Sequence, residues 1–540
     1  MIGLLSALAL SEPIDAHLMY FVLVDRFYNA DTQNDPSPDL KDPQAFHGGD
    51  LDGLRQKLPY LKSLGVDVVW LSPIFHMRKE KFEGHGAFHG YWVQDLYEIE
   101  PAFGGEEALL SLGRTAKSEG IDLVMDMVYN HVSFDSPMRI EKKHWFHEEK
   151  PIVDWNDPYE LTHHQVHGLP DLDQSNEEVY TYLKEQTLYW KEKAQLRGFR
   201  IDAIRHMEDS FLARLSNDIK DSQSWLLGED FQGNPVALIE RARASKLDAL
   251  FDFPNYYAMT DLFCRQGSVG AFAANLWLDQ YFPEGFQHVT FLDNHDLPRL
   301  HSSCDESNAF QALFTQLSIR GLPMVTYGTE LKLKGEHEPE NRADMPWDSI
   351  DDPRTEMIAR MTQLRRQHPV LEHGLGLVES LDKDHMVYTQ FLDGEAATLV
   401  INRGEEAIEF PHSPTECFMV TDRFQPCSGS AIPKKSARLW IEKRITPQRT
   451  KKRKDIIVSP CRSDQDLRLV GSSSELGGWN PDKGLQLIES NGTCRATLLL
   501  DQYSVLRFKV VEYKDNEVKW EKGSDHILWN QPLLQIPWQD

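Results

Sequence analysis

The sequence predicts an α/β protein: a (β/α)8 TIM barrel with a small insertion after its third strand, followed by a C-terminal β-domain and a β-sandwich domain. Three observations predict it. Short apolar runs alternate with helical patterns through roughly residues 15–370. Several runs end in charge, as a buried parallel strand does when it delivers a polar side chain at its C-terminal tip. Beyond residue 375 the pattern becomes alternating, with an Asp-Gly turn, which marks antiparallel β structure. A length of 540 residues suits two or three domains.

The elements follow in order. Residues 1–12 open with MIGLLSALAL, an apolar stretch with Ala7-Leu8-Ala9 near its end and no basic residue. It is expected as a short export signal, with a frayed terminus as the alternative. That places the protein outside the cell or in the periplasm and leaves the cytoplasm open. The barrel is expected over 13–374. Its strands are MYFVLV (19–24), VDVVWLSPI (66–74), IDLVMDMVYN (121–130), GFRID (198–202), WLLGE (225–229), LDALFDF (247–253), HVTFLDN (288–294) and LPMVTYG (322–328). A helix over 176–196 leads into the strand at 198. The stretch 132–170, rich in His, Trp and Pro, is too long and irregular for an ordinary loop and is expected to wall one side of a cleft. Antiparallel β structure fills 375–445. TPQRTKKRKD (446–455) reads as a solvated linker with few contacts across it, and 456–540 as a last β-domain.

Composition sets limits. Hydrophobic residues make up 41% and aromatics 10%, as in a globular chain. The formal net charge of −27 argues against nucleic acid or an anionic membrane as partner. No apolar run reaches the ~18 residues of a membrane helix. Six cysteines (264, 304, 417, 427, 461 and 494) fall two to each expected domain. They suit disulfides in an oxidising compartment and free buried thiols equally. No CxxC occurs, so no zinc ribbon is expected.

The chemistry lies at the strand tips. Asp202 ends one apolar run, Glu229 another, and Asp296 closes FLDNHD (291–296). Cleaving a glycosidic bond needs a carboxylate nucleophile and a carboxylic acid that donates a proton. With DMVYNH (126–131), these segments resemble the α-amylase family, glycoside hydrolase family 13. The resemblance implies Asp202 as nucleophile, Glu229 as general acid/base and Asp296 as transition-state stabiliser. It implies that Arg200 keeps the nucleophile ionised. His131 and His295 would donate hydrogen bonds to the sugar at the cut. HGYW (89–92) matches an aromatic platform, with Tyr91 stacking on that sugar and Trp92 beside it. Arg205-His206 points to α-1,4 bonds in long glucans, Phe231 to an acceptor-side contact, and EPENR (338–342) to a more distant subsite through Arg342.

The resemblance also implies calcium. One site would take Asn29, Asp31, Asn34, Asp35, the Gly48 carbonyl and Asp50, a dense oxygen set in DRFYNADTQND and HGGD. A second would take Asn130, Asp171 and the His206 carbonyl. From 456 onward the chain resembles a starch-binding domain, carbohydrate-binding module family 20. Trp479 and Trp520 match its stacking pair and Lys509 its hydrogen-bonding lysine, while Asp525 stands where that family usually has Asn. The expectation is a monomeric, retaining, endo-acting α-amylase on starch and maltooligosaccharides. The alternative is a cyclodextrin glucanotransferase or maltogenic amylase. The short gap before the last domain, too small for the additional β-domain of the usual transferase, favours the first.

Overall fold

The computed structural model describes residues 14–35, 38–219, 224–410, 415–514 and 517–538. The expected export signal lies outside these residues. Eight parallel strands close into a barrel. They are β1 (Met19–Val22), β2 (Val68–Leu71), β3 (Asp122–Met127), β4 (Gly198–Ile201), β5 (Trp225–Gly228), β6 (Ala249–Phe251), β7 (Gln287–Thr290) and β8 (Leu322–Thr326). Each pairs with its neighbour in sequence, and β8 closes on β1. Apart from Asp122, which opens β3, every strand residue is buried, so the strands read as continuous apolar runs.

Strands end earlier than their apolar runs. The run at 19–24 pairs only to Val22; Val24–Phe27 then turns into a short helix that buries Asp25 and Arg26 as an ion pair, Nε to Oδ2 3.0 Å. The helix expected at 176–196 spans Glu177–Ala194, capped by the Asn176 side chain accepting from the Glu178 amide at 2.9 Å. The insertion is short helices and isolated bridges, one of which pairs His131 with Asp171.

A six-stranded antiparallel sheet follows, from Leu375–Leu381 to Ser436–Lys443. The last domain packs a four-stranded sheet against a five-stranded one. The linker expectation needs correction. Lys451–Ser459 is a strand, paired antiparallel to Thr493–Asp501 and parallel to Leu533–Pro537. The basic residues at 451–453 are exposed on it, so a strand with a solvated start reads like a linker. Contacts across this joint are not few. Val505 belongs to the same buried cluster as the barrel, and Ile527 and Trp529 pack against that cluster. Arg449 donates to Gln280 Oε1 at 2.7 Å and lies over the Trp277 ring.

All six cysteines are paired, as Cys264–Cys304, Cys417–Cys427 and Cys461–Cys494.

Candidate active site

The barrel's C-terminal mouth carries a cleft of about 770 Å³. Its walls gather Tyr91, Trp92, His131, Asp202, Arg205, His206, Glu229, Phe231, His295, Asp296 and Arg342, residues from six separate segments. Arg200 is the one candidate that does not face the cleft. It lies beneath it, 1% exposed. One strand supplies both Arg200 and the tip at Asp202, so alternation sends both side chains the same way.

Arg200 organises the floor. Its Nη1 donates to Asp202 Oδ1 at 2.6 Å and to Asp126 Oδ1 at 2.9 Å. Its Nη2 stands 3.4 Å from Glu229 Oε1. Asp126 Oδ2 also accepts from Tyr91 Oη and Trp70 Nε1, each at 3.0 Å. Asp126 thus fixes the arginine from below and Tyr91 from the side. It opens the segment DMVYNH, but nothing in its spacing distinguishes it from a strand residue.

The carboxyls differ. Burial pushes Glu229 up to about 8, with Asp202 and Asp296 adding to it and Arg200 opposing. The backbone N–H of Ala203 donates to Glu229 Oε2 at 3.1 Å. For Asp296 burial acts upward too, but His295, Arg342 and Arg200 outweigh it and hold this carboxyl below its ordinary value. Arg342 Nη2 donates to Asp296 Oδ1 at 3.0 Å, Nε to the His295 carbonyl at 2.9 Å, and Nη1 to Glu338 at 2.7 Å. Burial lowers His295 to about 3 and His206 to about 4, so both imidazoles are neutral near neutral pH. Such a site sets a carboxyl that is raised, Glu229, against one that is lowered, Asp296, around a buried cation.

Aromatic surface surrounds this floor. The Tyr91 ring is parallel to His295 at 5.2 Å. Phe231 is 38% exposed on the rim, where Arg205 Nη1 donates to its carbonyl at 3.2 Å. Three Phe and Trp rings of the wall were not singled out in the sequence: Phe82 and Phe134, stacked at 4.1 Å, and Trp155 of the insertion, 45% exposed. They sit in loops, where no periodicity marks them.

These features are those of one family. The family model described as "Alpha amylase, catalytic domain" matches residues 21–370. The chain belongs to the α-amylase family. A second model, "Starch binding domain", matches residues 456–531. Among relatives, a beta/alpha-amylase of Paenibacillus polymyxa is 28% identical over 71% of this chain. The chain spans only 33% of that protein's length. A cyclomaltodextrin glucanotransferase of Klebsiella oxytoca is 25% identical over 96% of this chain and 93% of its own. The solved α-amylase of Geobacillus thermoleovorans, complexed with acarbose, superposes with a TM-score of 0.69 at 28% identity, covering 79% of this chain and 98% of that one.

Two loops of this α-amylase-family chain bear on the expected ions. In the first, Asn29 Oδ1 and Asn34 Oδ1 are buried without a hydrogen-bond partner. Asp35 accepts from Asn29 Nδ2 at 2.9 Å, and Asp50 Oδ2 from the Ala30 and Asp31 amides at 3.0 and 2.9 Å. Gly48 has φ +91°, and a Cβ there would lie 2.4 Å from Asn29 Nδ2 and 2.5 Å from Asp35 Oδ1. Unpartnered amide oxygens beside carboxylates fit a hard cation. In the second, Asn130 Oδ1 is buried and unpartnered, and Asp171 is 2% exposed. Asp171 is also engaged by His147 Nδ1 at 2.6 Å, a partner the sequence did not reveal. A third buried group, Asp252, Asp279 and His288, was not foreseen either. There Asp252 approaches Nδ1 at 3.5 Å and Asp279 approaches Nε2 at 3.9 Å, on opposite sides of one ring.

In the starch-binding domain, Trp520 is 40% exposed and pairs across from Val511. Lys509 and Arg507 alternate with buried residues on that strand, Val505–Lys514, and so share a face with Trp520. Trp479 is half-buried under Arg507, whose guanidinium lies 5.4 Å from its ring centre. Lys509 Nζ donates to the Gly523 carbonyl at 2.7 Å. Asp525 is ion-paired to Arg507 and stands 3.7 Å from Lys509.

Proposed function

We propose that this protein is a retaining, endo-acting α-amylase that hydrolyses internal α-1,4-glucosidic bonds of starch, glycogen and maltooligosaccharides. The observation that carries the reading is the unequal pair on Arg200. Glu229 is raised to about 8 and holds its proton, while Asp202 lies 2.6 Å from the guanidinium. Two carboxyl groups gathered on one guanidinium fit the closer spacing of a retaining pair. In the first step Glu229 protonates the glycosidic oxygen as an Asp202 oxygen bonds to the anomeric carbon, and the leaving chain departs with that proton. In the second, Glu229, now ionised, takes a proton from water. The water oxygen bonds to the anomeric carbon and the bond to Asp202 breaks. Asp296 holds the hydroxyls of the sugar at the cut, Tyr91 stacks on its ring, and Arg342 serves a more distant subsite.

Calcium would be held by Asn29, Asp31, Asn34, Asp35, Asp50 and the Gly48 carbonyl, and by Asn130, Asp171 and the His206 carbonyl. Its work there is to fix loops beside the cleft. Secretion and a monomeric state complete the reading, and the paired cysteines support the first.

A transferase reading keeps one specific support. Phe231 exposes its ring on the acceptor side, and a glucanotransferase relative matches this chain over nearly its whole length. The missing additional domain therefore separates the two readings poorly. Product analysis from soluble starch decides. Mixed linear maltooligosaccharides with an early fall in viscosity are expected; early cyclic products or maltose alone would replace hydrolysis by the alternative.

A further inference from the structure

The starch-binding domain is seated on the catalytic face of the barrel. Glu229 stands at the tip of β5, and the loop after it runs through Phe231 and Gly233 to Asn234. Asn234 caps the helix Pro235–Ser245 by accepting from the Val236 amide at 3.0 Å. The same side chain donates from Nδ2 to the carbonyl of Gly478 at 2.7 Å. Gly478 has φ +58°, and a Cβ there would come within 2.9 Å of the Val236 side chain. The backbone just before Trp479 is thus pressed onto a strand-to-helix loop. In a β/α barrel such loops form the face that bears the active site.

The binding sheet is anchored at a second point as well. Ile527 pairs across from Arg507, and its side chain reaches Gly270, where a Cβ would lie 2.8 Å from Ile527 Cγ1. Val505, two residues before Arg507, enters the barrel's own buried cluster. The face that carries Arg507, Lys509 and Trp520 therefore begins at the barrel wall and does not swing free of it.

Beside the loop that joins Phe231 to Asn234 is an aromatic ring that neither site uses. Tyr257 is 38% exposed, and a Cβ on Gly233 would lie 3.1 Å from its Cε2. Its ring flanks the loop that holds Phe231 on one side and Asn234 on the other. From Phe231 to Trp479 the path is three residues, one hydrogen bond and one further residue, on the order of 20 Å with the chain extended. That is the reach of a few glucose units.

We propose that Phe231, Tyr257 and the face around Trp479 form one continuous track, so that a single α-1,4-glucan occupies the catalytic cleft and the starch-binding domain at once. Tyr257 is the stacking platform between them. The ligand class is a linear glucan longer than the cleft alone can hold. This rests on the glucan reading of the cleft given above.

The test is titration calorimetry on the full-length Glu229→Gln protein with maltooligosaccharides of increasing length. Short chains are expected to bind at two or more per protein. Above a threshold length the stoichiometry should fall to one, with a gain in affinity. On that background Tyr257→Ala should weaken the long chain about two- to tenfold and leave the short chain unchanged, the size of one stacking contact. Asn234→Asp retains the acceptor that caps the helix but replaces the donor to Gly478. It should abolish the long-chain gain even where Tyr257→Ala does not fold. A stoichiometry that stays at two or more at every length overturns the track. So does a Tyr257→Ala loss that is equal for short and long chains. If no maltooligosaccharide binds at all, the glucan reading itself fails and the track with it. If chains bind but the stoichiometry never falls, only the track fails.

Discussion

At the scale of single residues, the site works because burial and a fixed cation act on neighbouring carboxyls in opposite senses. Glu229 illustrates the cost. Its unfolded carboxyl ionises near ~4.3, so at neutral pH folding must bind a proton to it. A carboxyl raised in the folded state adds stability below its unfolded value and withdraws it as pH rises toward the folded value, here about 8. Glu229→Gln should therefore abolish turnover by at least about three orders of magnitude and yet raise stability at pH 8 by roughly 1–3 kcal/mol, a difference that vanishes near pH 4. Thermal melts across that pH range check it; an equal melting temperature at pH 8 would contradict the raised carboxyl. The basic limb of kcat is expected near the same value. Asp202 and Glu229 were legible at strand tips because each closes an apolar run, and Asp296 through the resemblance of FLDNHD. Asp126 was not, because its role is defined by Arg200, Tyr91 and Trp70, which meet it only across the closed barrel.

At the scale of elements, loops carry what strands cannot. The eight strands were legible from continuous apolar runs, though their ends were not, since pairing stops where the chain must turn to bury Asp25 and Arg26. The wall formed by Phe82, Phe134 and Trp155 escaped because loop side chains follow no period. The loop containing Asn29, Asn34 and Gly48 makes a thermodynamic prediction. A cation bound only in the folded state stabilises it by mass action, so chelation should lower the melting temperature. Asn34→Ala should shrink that shift, because it removes a buried oxygen that has no protein partner. Scanning calorimetry with and without chelator reads this out; no shift in either protein, with no calcium by elemental analysis, would remove the proposed ions.

At the scale of the whole molecule, the last domain is part of the folded body. Its contact with the barrel was invisible in sequence because period-two alternation shows which face of a strand is apolar but not what covers it. Ile527 and Gly270 lie 257 positions apart and still touch. Removing residues from 445 onward is therefore expected to lower the melting temperature by exposing the helix Val269–Leu278. Activity on short maltooligosaccharides should survive at moderate temperature, while activity on starch granules should fall sharply. Trp520→Ala, at an exposed position, should weaken granule adsorption about two- to tenfold without moving the melting temperature. Adsorption equal to wild type would take Trp520 out of the binding face. The three disulfides have a consequence of another kind. They close loops of 40, 10 and 33 residues that neither nest nor cross. Each second cysteine arrives before the next first one is made. Were the chain exported as proposed, its thiols would reach an oxidising compartment already in matching order. Synthesis itself does the sorting, and no reshuffling between distant halves of the polypeptide is required.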